Sequence, residues 1–139
     1  MSAGGHVSVA LDGLLRVDHE GPRPPFDQVR SQLAEAIGDG RLPAGAKLPT
    51  IRSLAEEVGL AVNTVARAYR ELEAAGLVLT RRRLGTVVSP DGAAASPAGG
   101  GPDPAVRLAA ADYARAARAA GTSEQEAVDL VRGAYRRLG

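Results

Sequence analysis

Between Ile51 and Leu72 the chain leaves itself few options. Ile51, Leu54, Ala55 and Val58 recur at the spacing of one helical face, Gly59 interrupts it, and Val65, Ala68, Tyr69 and Leu72 resume it. Two short amphipathic helices joined so tightly must cross steeply. The first helix then needs a small side chain where the second passes over it, and Ala55 is there. Four residues on, the turn needs a residue that accepts positive φ, and Gly59 is there. Six residues further, the second helix needs a β-branched side chain facing its partner, and Val65 is there. Leu54, Val58, Leu60 and Ala68 fill the remaining inward positions. One such match arises by chance; the set together defines a helix-turn-helix.

The flanks extend this unit. Residues 1–13 contain Gly and Ser without clear patterning and are expected to be flexible, while Leu14–Val17 suits a short strand. The punctuation Gly21-Pro22-Arg23-Pro24-Pro25 favours a helix start just after it. Phe26, Val29, Leu33 and Ile37 then form one helical face that ends near Gly38 and Gly40. The stretch from Arg41 to Pro49 reads as a loop, with Thr50 as the N-cap of the next helix. Beyond Gly76, the β-prone runs Leu77–Thr80 and Thr86–Val88 flank Arg81-Arg82-Arg83-Leu84-Gly85, the length of a hairpin tip. Residues 14–89 therefore predict a winged helix-turn-helix domain.

Residues 90–102 are Ser, Pro, Asp, Gly and Ala only, a linker composition. Residues 103–139 return to helical patterning. Val106, Ala110, Tyr113, Ala117 and Ala120 form one stripe, and Gly121 ends it. Thr122 and Ser123 each precede Gln125 or Glu126 at capping-box spacing, and Val128, Val131, Tyr135 and Leu138 mark a second stripe. The predicted fold class is mainly α with a small β-hairpin wing, followed by a short C-terminal helical segment.

Composition narrows the function classes. With no Cys there is no disulfide, thiolate metal site or Cys nucleophile. The two histidines, His6 and His19, lie in the weakly patterned N-terminal stretch. No Gly-rich phosphate loop precedes a helix, and no His, Asp and Glu set has metal-ligand spacing. Catalytic residues, metal ligands and cofactors are therefore not expected. No apolar run approaches a membrane span and no signal-peptide pattern opens the chain, so a cytoplasmic protein without membrane contact is expected. Net charge is only +1, but sixteen of the 17 basic residues are Arg, the side chain suited to bidentate contact with phosphate and guanine.

The basic and amide side chains fall where a DNA reader needs them. Asn63, Thr64, Arg67 and Arg70 are assigned to the outward side of the second helix of the motif, which in such proteins enters the major groove. Asn63 and Arg67 are the expected base readers, and Thr64 reads a base or bonds a phosphate. Thr50 and Arg52 stand at a helix start, where backbone N–H groups favour phosphate. Arg81, Arg82 and Arg83 reach phosphate or the minor groove from the hairpin. The bland readings are an N-cap for Thr50, an ion pair with a nearby Glu for Arg70, and a solvated turn for the Arg triplet, although three adjacent like charges favour an anionic partner.

Residues 24–89 resemble the GntR family of bacterial winged helix-turn-helix regulators. Leu48-Pro49-Thr50-Ile51-Arg52-Ser53-Leu54-Ala55 is similar to the family's LPS-x-R-x-LA pattern, and Asn63 to Glu73 is similar to its NTV-x-RAY-x-x-LE recognition helix. The stretch from Gly40 to Leu48 resembles its G-x-L-x-x-G-x-x-LP loop. The short remainder after the linker resembles the YtrA-like subfamily, whose C-terminal helices mediate dimerisation and whose members often repress transporter operons. The resemblance thus implies a homodimeric, operator-binding regulator, with Val106, Ala110, Tyr113, Ala117, Val128, Val131, Tyr135 and Leu138 at the dimer interface. Two departures stand out. The family wing reads Gly-x-Gly-Thr-Phe-Val where this chain has Arg83-Leu84-Gly85-Thr86-Val87-Val88, which puts minor-groove contact by Gly85 in question. Ala61 also stands where relatives often carry Asn. A small-molecule effector has room only at the dimer interface or between the two modules, and no polar cluster identifies one. The rival readings are a winged-helix adaptor that docks protein rather than DNA and, more remotely, an enzyme.

Overall fold

The computed structural model describes residues 7–83, 85–90 and 103–139. Strands β1 (Val7–Ala10) and β2 (Leu15–Asp18) pair antiparallel across the 3-10 turn Leu11–Gly13. Helices α1 (Pro25–Gly38), α2 (Ile51–Val58) and α3 (Val62–Ala74) follow. The wing is β3 (Val78–Arg81) paired with β4 (Gly85–Val88), and helices α4 (Pro104–Ala119) and α5 (Glu124–Leu138) complete the order. The linker expected over residues 90–102 falls, from residue 91 on, outside the described residues.

The expectation of a flexible stretch over residues 1–13 is corrected from Val7 onward, where the chain forms the first strand of a hairpin. Asp12-Gly13 is a common turn pair, but Leu11 is not a typical turn residue, and both Leu11 and Asp12 take φ 55° ahead of Gly13. Ala10, Leu15 and Val17 face the core. Two glutamines of α1 bind the hairpin to the helix. The Gln28 amide accepts from the Asp18 N–H at 2.7 Å and donates to the Asp18 and Arg23 carbonyls. One helical turn on, Gln32 accepts from the Arg16 N–H at 2.8 Å and donates to its carbonyl at 2.6 Å. His19, expected in weakly ordered chain, meets Ser8 Oγ through Nε2 at 3.0 Å.

The helix-turn-helix forms as its spacing demands. Gly59, at φ 66°, caps α2 with its N–H on the Ala55 and Glu56 carbonyls. Ala55, Val58, Val65, Ala68 and Leu72 are buried beside Val29, Leu33 and Ile37 of α1. Tyr69 is also inside, and its hydroxyl donates to the Pro49 carbonyl at 2.7 Å. Burial pushes that phenol's pKa up, and the hydrogen bond ties α3 to the segment leading into α2.

The stretch expected as a plain loop before Thr50 is in part a third strand of the wing. Lys47 bridges Val87, and backbone bonds run from Gly45 N–H to Val88, from Val88 N–H to Ala46 and from Leu48 N–H to Thr86, at 2.8–2.9 Å. The hairpin itself is one rung longer than expected, since Arg81 pairs with Gly85.

Helix α4 packs on α1 and α3 through a face other than the expected stripe. Pro104 and Leu108 are its buried residues, and α1 meets it at Gly38, where a Cβ would lie 2.5 Å from Pro104 Cγ. Only glycine permits that approach. Gly38→Ala should displace the start of α4 and destabilise the chain by about 1–3 kcal/mol, the usual cost of overpacking. Urea unfolding checks this; an unchanged midpoint would mean that the contact is not under constraint.

Candidate nucleic-acid interface

The outward face of α3 is the centre of the candidate site. Asn63, Arg67 and Arg70 are exposed on it. Thr64, assigned to the same side, is instead half-buried, because one residue turns the helix by about 100°. Its N–H belongs to the first turn, bonded to the Ala61 carbonyl. Thr50 caps α2, its hydroxyl accepting from the Ser53 N–H at 3.0 Å, and Arg52 is exposed one residue into that helix. On the wing, Arg81, Arg82 and Arg83 are exposed around the last rung, where Gly85 has φ 77°. Among the described residues, Arg52, Arg70 and these three arginines form no ion pair. A row of unneutralised guanidiniums on one module favours an anionic partner.

Arg67 is different, because it is held. Its Nε donates to Glu71 Oε2 at 3.1 Å, one helical turn away, and its guanidinium carbon lies 3.7 Å from the Phe26 ring centroid. The ion pair with a nearby Glu expected for Arg70 is absent among the described residues, and it is Arg67 that pairs with a Glu. Its side chain still keeps 55% of its exposure, so the terminal nitrogens remain open to a ligand. Phe26, read as a core residue, is only half-buried and serves as the platform.

Glu71 is 8% exposed and joins three helices. Its Oε1 accepts from Arg30 of α1, and Arg115 of α4 lies 3.7 Å away. Arg30 also bonds Asp27 at 2.6 Å and reaches Asp112 of α4 at 3.2 Å, and Arg115 pairs with Asp112. Sequence reasoning missed Phe26, Arg30, Glu71, Asp112 and Arg115. Only the four-residue spacing of Arg67 and Glu71 signalled any of it. Burial alone would raise the Asp27 carboxyl, but hydrogen bonds from Arg23 and Arg30 hold it below the usual range. Burial likewise works against the Arg30 cation, and its bonds to Glu71 and Asp27 more than offset this, raising its pKa.

The C-terminal helices form a hairpin. Ser123 caps α5 in a full capping box with Glu126, and Tyr113 Oη donates to the Ala127 carbonyl at 2.8 Å. Tyr113, Ala117, Val128 and Val131 line one groove between α4 and α5. Val106 and Ala110 are exposed further back on α4, and Tyr135 and Leu138 are exposed at the end of α5, Leu138 at 89%. Leu130 is a further exposed apolar residue that the stripe did not include. No residue of α5 is buried.

The arginine-bound carboxylate predicts an acid response. The Asp27 pKa is depressed on folding, so its stabilisation is complete above the unfolded value near 3.8 and is lost as pH falls through the lower folded value. Asp27→Asn should therefore lower the melting temperature at neutral pH and flatten its fall below about pH 4. Melting curves from pH 2 to pH 7 check this, and parallel curves for the two proteins would refute it.

Residues 25–88 match the family described as bacterial regulatory proteins, gntR family. The chain is 46% identical over 114 residues to the HTH-type transcriptional regulator Rv1152 of Mycobacterium tuberculosis, covering 82% of this chain and 88% of that one. It is 36% identical over 76 residues to the HTH-type transcriptional repressor YtrA of Bacillus subtilis, covering 55% of this chain and 58% of the relative. Among solved structures, YtrA from Sulfolobus acidocaldarius, a GntR-family transcription factor, aligns with a TM-score of 0.51 at 34% identity, covering 55% of this chain and 80% of that one. A family match that spans the three helices and the wing, together with a relative matched across most of both chains, makes this protein a member of the GntR family of bacterial transcription regulators.

Proposed function

We propose that the protein binds a pseudo-palindromic DNA operator as a homodimer and represses transcription from it. The observation that carries this reading is the exposed face of α3, with Asn63, Arg67 and Arg70, flanked by Arg52 and by Arg81–Arg83 on the wing. Asn63 and Arg67 read base edges, the former suited to adenine and the latter to guanine. Arg52, Arg70 and the wing arginines bind phosphate, with the N–H groups at the start of α2 beside Thr50. Thr64 serves the backbone rather than a base, given its half-burial. The repressor name of the Bacillus subtilis relative supports the sign of regulation. Such a protein works in the cytoplasm, and no helix among the described residues is long and apolar enough to cross a membrane.

Self-association has its own support. Val128, Val131, Tyr135 and Leu138 leave an apolar stripe on α5 that stays exposed among the described residues. Burying such a stripe against a second copy removes apolar surface from water on both chains. The resulting two-fold axis would set two recognition helices on half-sites a whole number of DNA turns apart.

Two measurements test the reading. Footprinting on DNA upstream of the protein's own gene should show a salt-sensitive palindrome, and Arg67→Ala should weaken operator binding about 10- to 100-fold, the worth of one bidentate base contact. Arg82→Ala should instead weaken operator and random DNA alike and reduce the slope of affinity against salt by about one contact. Equal losses for the two variants would remove Arg67 from base reading. For the dimer, Val131→Asp should give a monomer of unchanged helicity in sedimentation experiments; a dimer that persists would place the interface elsewhere.

A further inference from the structure

We propose that Asp112 and Arg115 of α4 are positioning residues for Arg67, acting through Arg30 and Glu71. The seating of the C-terminal helices then sets how firmly the recognition helix presents its guanidinium. The proposal rests on the reading that Arg67 meets a base.

A free arginine side chain samples many rotamers, and fixing one on binding costs entropy. Arg67 is restrained in advance. Its Nε is engaged by Glu71 Oε2 and its plane lies against Phe26, which leaves the two terminal nitrogens, the pair that a bidentate contact to guanine can use. Glu71 can hold Arg67 only if its own carboxylate stays in place, and the partners of the other oxygen decide that. Arg30 and Arg115 attend Oε1. Both also pair with Asp112, so Asp112 and Glu71 share the two cations. If α4 shifts, Glu71 loses Arg115 and Arg30 loses Asp112 in the same movement. Arg67 would then rest on a looser carboxylate.

The same helix leads into α5. Helix α4 is seated at one end by Pro104 against Gly38 and runs through its middle past Glu71. It then turns at Gly121 into α5, joined by the Tyr113–Ala127 bond. Whatever covers the exposed face of α5 therefore acts next to a helix, α4, whose midpoint touches the buttress of Arg67. Asp112 and Arg115 are each nearly half exposed, at 46% and 47%, so core packing does not account for them.

The test uses the full chain with Asp112→Ala and Arg115→Ala combined. Thermal unfolding should stay close to wild type. In the DNA-free protein, the side-chain Nε–H resonance of Arg67, assigned by its loss in Arg67→Lys, should shift and exchange faster with water. The ratio of affinity for the footprinted duplex over a scrambled duplex should fall about three- to ten-fold, and this fall should vanish when Arg67→Ala is already present, as a double-mutant cycle requires. An unmoved Nε–H resonance would overturn the coupling alone and leave DNA binding standing. A moved resonance with an unchanged affinity ratio would leave the contact between α4 and Arg67 standing but overturn the proposal that it sets base reading.

Discussion

A carboxylate buried among cations from three helices is the constraint on which the arrangement of this molecule depends. The hydrophobic core is not directional: Leu33, Leu54 and Leu72 would be equally dry in several rotations of α1 against α3. Glu71 removes that freedom. Taken out of water, it has to be met by donors of good geometry, or the cost of burying the charge is uncompensated. Arg30, Arg67 and Arg115 meet it from α1, α3 and α4. The interaction contributes to orientation more than to net stability, since removing such a charge from water roughly cancels the attraction it gains. Helix α4 is thereby tied by charge as well as by packing to α1 and α3.

What was readable in the sequence follows a physical division. The helix-turn-helix was legible because Ala55, Gly59 and Val65 are local requirements of backbone crossing and turn geometry. The Thr50 and Ser123 caps were legible for the same reason. The Arg-rich wing tip was visible because its strands flank it at once. The elements that escaped depend on partners far along the chain. The β1–β2 hairpin turns at Leu11 and Asp12 and is secured by Gln28 and Gln32, which read as ordinary polar positions on α1. The strand-like role of Lys47 needs β4, some forty residues on, to exist first. Phe26 has the spacing of a core residue, yet its ring takes a guanidinium, which periodicity cannot show.

Of the site itself, the outward placement of Asn63, Arg67 and Arg70 followed from helix geometry, whereas the restraint on Arg67 did not. An arginine on an exposed face looks the same in sequence whether it is loose or clamped. The difference comes from Arg30, Asp112 and Arg115, which no spacing rule connects to α3. The wing shows a similar gap. Its missing family glycine was apparent, but its reinforcement by residues 45–48 was not, and that third strand runs directly into Thr50 at the start of α2. Wing and recognition unit are one backbone-bonded piece.

The glutamine pair on α1 has a consequence beyond holding the hairpin. The N–H and C=O groups of Arg16 and Asp18 point away from β1, and in a two-stranded sheet that side would stand open as a template for a stray strand from another molecule. Side-chain amides occupy it in place of backbone. Because a glutamine amide cannot extend a ladder any further, the sheet is terminated chemically, and the protein can be concentrated without recruiting its own unfolded copies along that edge.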